Sequence, residues 1–240
     1  VQVDREDAVP EQFETNNVAI TRIAVQRDTI LPSLSVLFDG HAPPEGDYIR
    51  PTPLVTMTLS DASPLKVTNP ANFSITLDDS TVSTAGLQFT PMTSTVPALL
   101  QWTPALETGE HVFRFNARDA SGNAALSEDL VVRVLVDLEG KILDLTNYPN
   151  PFADATAFVF TLTGSEPPDA VEVKLYTVTG RLIRRLAAGP EQLRIGLNML
   201  RWDGRDDDGD LPGNGVYFYK FITRSPKGVT ETLGKIAKLK

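Results

Sequence analysis

Apolar and polar residues alternate through most of this chain with a period of two. In "NFSITLD", Phe73, Ile75 and Leu77 fall on one side and Ser74, Thr76 and Asp78 on the other. In "HVFRFNA", Phe113, Phe115 and Ala117 oppose Val112, Arg114 and Asn116. In "DAVEVKLYTV", Val171, Val173 and Leu175 oppose Glu172, Lys174 and Tyr176. This is the pattern of strands with one face buried. It predicts strands near 34–38, 53–60, 73–77, 98–103, 111–118 and 129–136. A second set follows near 143–147, 156–163, 170–177, 181–187, 193–202, 215–224 and 230–239. Pro and Gly recur often enough to leave little room for helices. Short strands separated by turn signals predict an all-β chain of two consecutive Ig-like antiparallel β-sandwiches.

The breaks in the pattern set the expected boundaries. "DLEGKILDLTNYPNPF" interrupts it: Gly140 stops the alternation, and Pro149 and Pro151 cannot donate to a ladder. The expected units are a first sandwich over 31–140 and a second over 141–240. Residues 1–30 are polar apart from "VAITRIAV" and read as a linker or the tail of an upstream domain. Gly180 in "TGR" (179–181) and Gly122 in "DASGN" (119–123) suit tight turns that need positive φ. Trp102 and Trp202 lie in apolar strand contexts and are expected in the cores.

Length and charge narrow the function classes. The 240 residues suffice for two domains with their own cores, and the net charge of −9 disfavours nucleic acid as a partner. There are no cysteines, so disulfides and thiolate chemistry are excluded. No run approaches the roughly 20 apolar residues of a membrane-spanning helix. The opening "VQVDRED" lacks Met and a signal peptide, and reads as a fragment or mature segment of a longer protein.

Candidate chemistry is sparse. The two histidines, His41 and His111, have no partner at metal-ligand spacing. No G-x-S-x-G elbow, phosphate loop or dinucleotide fingerprint is present. Asp78 and Asp79 are adjacent, so on a strand they would point to opposite faces. Arg50, Arg181, Arg184 and Arg185 read as solvated charges. These observations predict a non-catalytic chain. The one acidic run, "WDGRDDDGD", offers Asp203, Asp206, Asp208 and Asp210 as calcium ligands. A full calcium loop would need an acid or Asn where Gly204 stands and a Glu near Asn214 or Gly215. No cofactor is expected, with calcium at this loop the minority alternative to a solvated turn.

Several motifs taken together carry a resemblance. "NYPNPF" (147–152), "AFVFTL", "VEVKLYTVTGRLIRRL", "WDGRDDDGDLPGNGVYFYKF" and the final "LGKIAKLK" resemble the C-terminal sorting domain of proteins exported by the type IX secretion system of Bacteroidetes. They also resemble the Ig-like domain of the flagellar hook-capping protein, which shares the "WDGRD…G…GVYFY" core. The terminal Gly-Lys-apolar strand and the preceding β-sandwich favour the sorting domain; the long acidic loop is closer to the hook-capping form. Residues 31–140, with "DGHAPPEGDYIRPTP" and "ARDASGN", resemble Ig-like modules of large bacterial surface proteins, including gingipain-like peptidases. Residues 1–28 resemble the last strand of an adhesion-type Ig-like domain.

The resemblance implies recognition rather than catalysis. It implies export through the periplasm and across the outer membrane to the cell surface, and as partners the outer-membrane secretion and attachment machinery, including a sortase-like peptidase. The residues it singles out are Pro149, Asn150 and Pro151, the turn residues Gly180 and Arg181, and Gly234, Lys235, Ile236 and Lys238 of the last strand. A reader could add a strand to the exposed edge there. The alternative functions are an adhesive or carbohydrate-binding pair of sandwiches, which would show exposed aromatics such as a Trp beside Tyr48 or Tyr148, and a hook-capping-like assembly domain.

Overall fold

A computed structural model describes residues 27–239. The expected upstream-domain tail therefore lies, up to residue 26, outside the described residues. Strands β1–β9 form two facing sheets. One has the order β1 (Ser33–Phe38), β3 (Val55–Ser60), β7 (Ala98–Trp102), β6 (Gln88–Thr90). The other runs β2 (Asp47–Tyr48), β9 (Leu130–Val136), β8 (Gly109–Ala117), β4 (Phe73–Leu77), β5 (Ser80–Thr81). All pairings are antiparallel except β2 with β9.

Strands β10–β16 form a second pair of sheets. The three-stranded sheet is β10 (Ile142–Tyr148), β11 (Thr156–Leu162), β14 (Gly196–Trp202). The four-stranded sheet is β13 (Leu182–Ala188), β12 (Ala170–Thr177), β15 (Gly215–Ser225), β16 (Gly228–Lys238). The chain is a tandem of Ig-like antiparallel β-sandwiches.

Alternation decides what is buried. Phe113, Phe115 and Ala117 of β8 face Phe38 and Met57 across the first sandwich, and Phe38 meets Phe113 edge-on at 5.1 Å. In the second sandwich, Phe158 and Phe160 of β11 meet Tyr219 and Phe221 of β15, each pair 4.9 Å apart and edge-on. Each such ring removes a large apolar area from water, worth roughly 1.5–3 kcal/mol. Trp202 is fully buried, as its strand context predicts; Trp102 packs against the first core while staying partly exposed.

Three strands were not foreshadowed by the alternation. β2, β5 and β6 have two, two and three residues, too few to show a period. The strand expected from 193 begins at Gly196, because Pro190–Gln192 forms a 3-10 turn first. The sandwiches touch where Leu197 N–H donates to Asp47 Oδ2 at 3.2 Å and Gly164 N–H donates to Asp137 O at 2.9 Å. A Cβ on Gly196 would overlap the Tyr48 carbonyl, so glycine allows this close approach.

Candidate functional site

Strand β16 lies at the edge of its sheet and pairs only with β15, without interruption from Gly215↔Lys238 to Ser225↔Gly228. Its C-terminal end is closed from outside by the "PNPF" segment. Asn150 Oδ1 accepts from Ala237 N–H at 3.0 Å, Phe152 N–H donates to Ala237 O at 3.0 Å, and Leu239 N–H donates to Phe152 O at 2.8 Å. Ala237 and Leu239 thus turn their backbone groups away from β15. By the alternation of an antiparallel ladder, Val229, Glu231, Leu233 and Lys235 do the same. Among the described residues no strand pairs with that half. It borders a cleft of about 730 Å³ whose lining includes Ile142, Leu162, Thr223, Thr230 and Thr232. Thr223 is 8% exposed, and among the described residues its Oγ1 has no hydrogen-bond partner.

The sequence-predicted residues divide here between support and surface. Ile236 and Lys238 are buried, at 1% and 3% exposure. Lys238 Nζ donates to Gly204 O at 3.1 Å and lies 5.7 Å from the centre of the Phe152 ring. Phe152 in turn packs on Trp202 at 5.1 Å. Pro149 and Pro151 follow cis peptide bonds, and Pro149 O accepts from Thr156 Oγ1 at 2.8 Å. Gly234 lies under the ring of Tyr219, its cross-strand partner, where a Cβ would overlap that ring. Lys235 is exposed. Gly180 and Arg181 sit apart from this group, at the β12–β13 turn. Gly180 has φ of +85°, its N–H donates to Thr177 O at 3.0 Å, and both residues are exposed.

The acidic run covers the opposite edge of the same sheet. Asp207 N–H donates to Ile183 O at 2.8 Å, and Asp207 Oδ1 accepts from Arg185 N–H at 3.4 Å. Arg184 donates to Asp206 O at 3.1 Å and lies 3.8 Å from Asp203 and 3.7 Å from Asp207. Asp206 Oδ1 accepts from the N–H groups of Asp208 at 3.1 Å and Asp210 at 2.8 Å. Trp202 Nε1 donates to Arg205 O at 2.7 Å, tying the loop to the core. The carboxylates of Asp203, Asp206 and Asp207 are therefore spent on backbone N–H groups and on arginine. Asp203, Asp206, Asp208 and Asp210 are not gathered into a metal-holding group. Among the described residues, the acidic group that is gathered is Asp28, Asp61 and Asp119, each offering one oxygen, all within 4.8 Å of one another. Sequence reasoning missed it because its members come from three distant stretches.

The remaining candidates have structural partners. His111 Nδ1 lies 2.7 Å from Asp78 Oδ2, and Asp78 Oδ1 accepts from Val112 N–H at 2.8 Å. Burial acts to lower the His111 pKa, but the Glu107 carbonyl and the Asp78 carboxylate outweigh it and hold it above the usual histidine value. Burial acts to raise Asp78, and the bonds from Val112 and His111 outweigh that and hold it below the carboxylate range. Burial raises the phenols of Tyr217 and Tyr219. His41 Nδ1 lies 3.0 Å from Asp39 O, and Arg50 pairs with Asp39 at 3.4 Å. Tyr148 is 75% exposed, but Trp202 is at 0% and does not stand beside it as a sugar platform.

No family model matches the chain, and no curated protein matches it. Among solved structures it is similar to the dimeric latent PorU of Porphyromonas gingivalis: 26% identity, TM-score 0.39, over 90% of this chain and 21% of that one. It is also similar to fibronectin(III)-like modules of Clostridium thermocellum CbhA, at 15% identity and TM-score 0.31, over 85% of this chain and 93% of that one. A β-glucuronidase of Parabacteroides merdae aligns at 10% identity and TM-score 0.38, over 88% of this chain and 24% of that one. The chain thus spans about a fifth of the PorU chain. These superpositions are loose, and the fold is defined by the sheet orders given above.

Proposed function

We propose that this chain is a non-catalytic recognition module of a secreted or cell-surface bacterial protein. The second sandwich is its signal for type IX secretion and surface attachment, and the first is an Ig-like spacer. Any catalysis by the parent protein belongs to residues outside this chain. Its partners are the outer-membrane secretion and attachment machinery, including a sortase-like peptidase, reached from the periplasm.

The observation that carries this reading is the half-open edge of β16. One sheet edge is guarded by the acidic loop and the C-terminal end of β16 by the "PNPF" strap, while residues 229–235 keep an unpaired row of backbone groups beside a cleft. An exposed edge left long and flat invites pairing, and folded proteins usually block it. Strand addition uses backbone hydrogen bonds and so tolerates varied side chains in the cargo. Ile236, Lys238 and Asn150 act indirectly, by fixing where the open half ends.

The test is export of a periplasm-directed reporter fused to the chain in a bacterium with a type IX system. The proposal expects surface delivery that depends on residues 141–240. Equal delivery of a reporter lacking those residues would overturn it.

A further inference from the structure

We infer that Asp28, Asp61 and Asp119 bind a calcium ion that ties the segment leading into the first sandwich to the sandwich itself. Asp28 precedes β1, Asp61 directly follows β3, and Asp119 lies in the turn after β8. One carboxylate oxygen from each lies within 4.8 Å of the other two. Oxygens sharing a calcium ion sit about 2.3–2.6 Å from it, and so at most about 5 Å from one another. The spacing fits.

The hydrogen bonding points to the same place. Asp28 Oδ1 accepts from Ile30 N–H at 3.0 Å, and Asp61 Oδ1 accepts from Ser63 N–H at 3.1 Å. Asp119 Oδ1 accepts from the N–H groups of Ser121 and Asn123, each at 2.8 Å. One oxygen of each residue is thus fastened to its own loop. The second oxygens of Asp28 and Asp119 each take a neutral donor, Ser121 Oγ and Asn123 Nδ2, both at 2.8 Å. Asp61 Oδ2 is buried and, among the described residues, has no hydrogen-bond partner. A buried carboxylate oxygen left unpaired is costly, and here two further carboxylates press on it.

No side-chain cation relieves this charge: among the described residues no ion pair reaches any of the three. Asp119 is only 1% exposed, so solvent screening is weak. A bound cation satisfies all of these at once. The donors are oxygens only, with no His or Cys, which selects a hard ion over zinc. Carboxylates brought together from three separate stretches, in no octahedral arrangement, suit calcium better than the strict octahedron of magnesium.

The consequence is mechanical. Asn123 Nδ2 also reaches the carbonyls of Asp28 and Ile30, at 3.4 Å each. The ion would complete a clasp between residues 28–30, the end of β3 and the 119–123 turn. This inference does not depend on the secretion reading.

The experiment is thermal unfolding of the whole chain in chelator, in millimolar calcium and in millimolar magnesium, with calorimetric titration of calcium. The expected result is one calcium site and a rise of about 5 °C or more in melting temperature. Asp61→Asn should fold, should melt in chelator no lower than the wild type, and should lose the calcium shift with at least about a tenfold loss of affinity. Asp206→Asn, in the acidic run, should keep the shift. An absent shift in the wild type, or an undiminished one in Asp61→Asn, overturns the site. An equal response to magnesium overturns its assignment to calcium.

Discussion

The two edges of the four-stranded sheet in the second sandwich are treated in opposite ways. At β13 the acidic loop folds back, and Asp207 supplies a donor and an acceptor to Ile183 and Arg185. At β16 the "PNPF" strap reaches only Ala237 and Leu239, and residues 229–235 stay open. Both covers rest on one anchor, the Phe152–Trp202–Lys238 cluster, since Trp202 holds Arg205 and Lys238 holds Gly204. Closing the β13 edge takes a dedicated loop. An edge left half open beside a guarded one is therefore a feature to be explained by use.

The largest expected effect comes from removing the shared anchor. Trp202→Ala empties a fully buried site and should destabilise the second sandwich by about 3–5 kcal/mol. Chemical denaturation should show that loss, with both edges becoming more susceptible to proteolysis. Protection of the 203–210 loop unchanged in the variant would break the link between anchor and covers.

Gly234→Ala should come next. The added methyl meets the Tyr219 ring, which packs on Phe158 at 4.9 Å and is 8% exposed, so the ring cannot simply swing away. Overpacking of this kind costs about 1–3 kcal/mol. The loss should fall away in Gly234→Ala/Tyr219→Ala relative to Tyr219→Ala alone.

Asp206→Ala should have a smaller effect on stability, about 1 kcal/mol, through loss of the bonds from Asp208 and Asp210. Its more telling consequence is uncovering of β13. Sedimentation should then show more self-association than in the wild type. A monomeric, equally stable variant would deny the loop its guarding role.

The smallest effect is a pH dependence confined to the first sandwich, which holds both histidines. The His111 pKa is raised on folding, so its stabilising contribution is complete below the unfolded value of about 6.5 and is lost as pH rises through the folded value. Asp78 is lowered, so its contribution is present above about 3.9 and is lost as pH falls through its depressed value. Melting of the first sandwich should decline slightly above neutrality in the wild type and not in His111→Gln. The second sandwich should show no matching change.

Much of the fold was legible because burial on one face imposes a period of two, and long strands display it. β8 and β12 show it plainly, while β2 and β5 are too short to show any. The site was less legible. "WDGRDDDGD" suggests ligands because its acids are contiguous, yet contiguity also lets Asp203 and Asp206 bond their neighbours' N–H groups. Asp28, Asp61 and Asp119 are brought together only by the fold, so no local pattern announces them. Ile236 and Lys238 were readable as special but not as buried, because the strap that covers their strand enters from residues 149–152.

The open half of β16 is the central claim, and Leu233→Pro tests it most directly. Leu233 is 75% exposed, and its N–H points away from β15, so at this edge position proline removes a donor that no described residue uses. The account predicts a melting temperature close to that of the wild type together with a reporter held in the periplasm. Normal surface delivery of a folded Leu233→Pro fusion would contradict it.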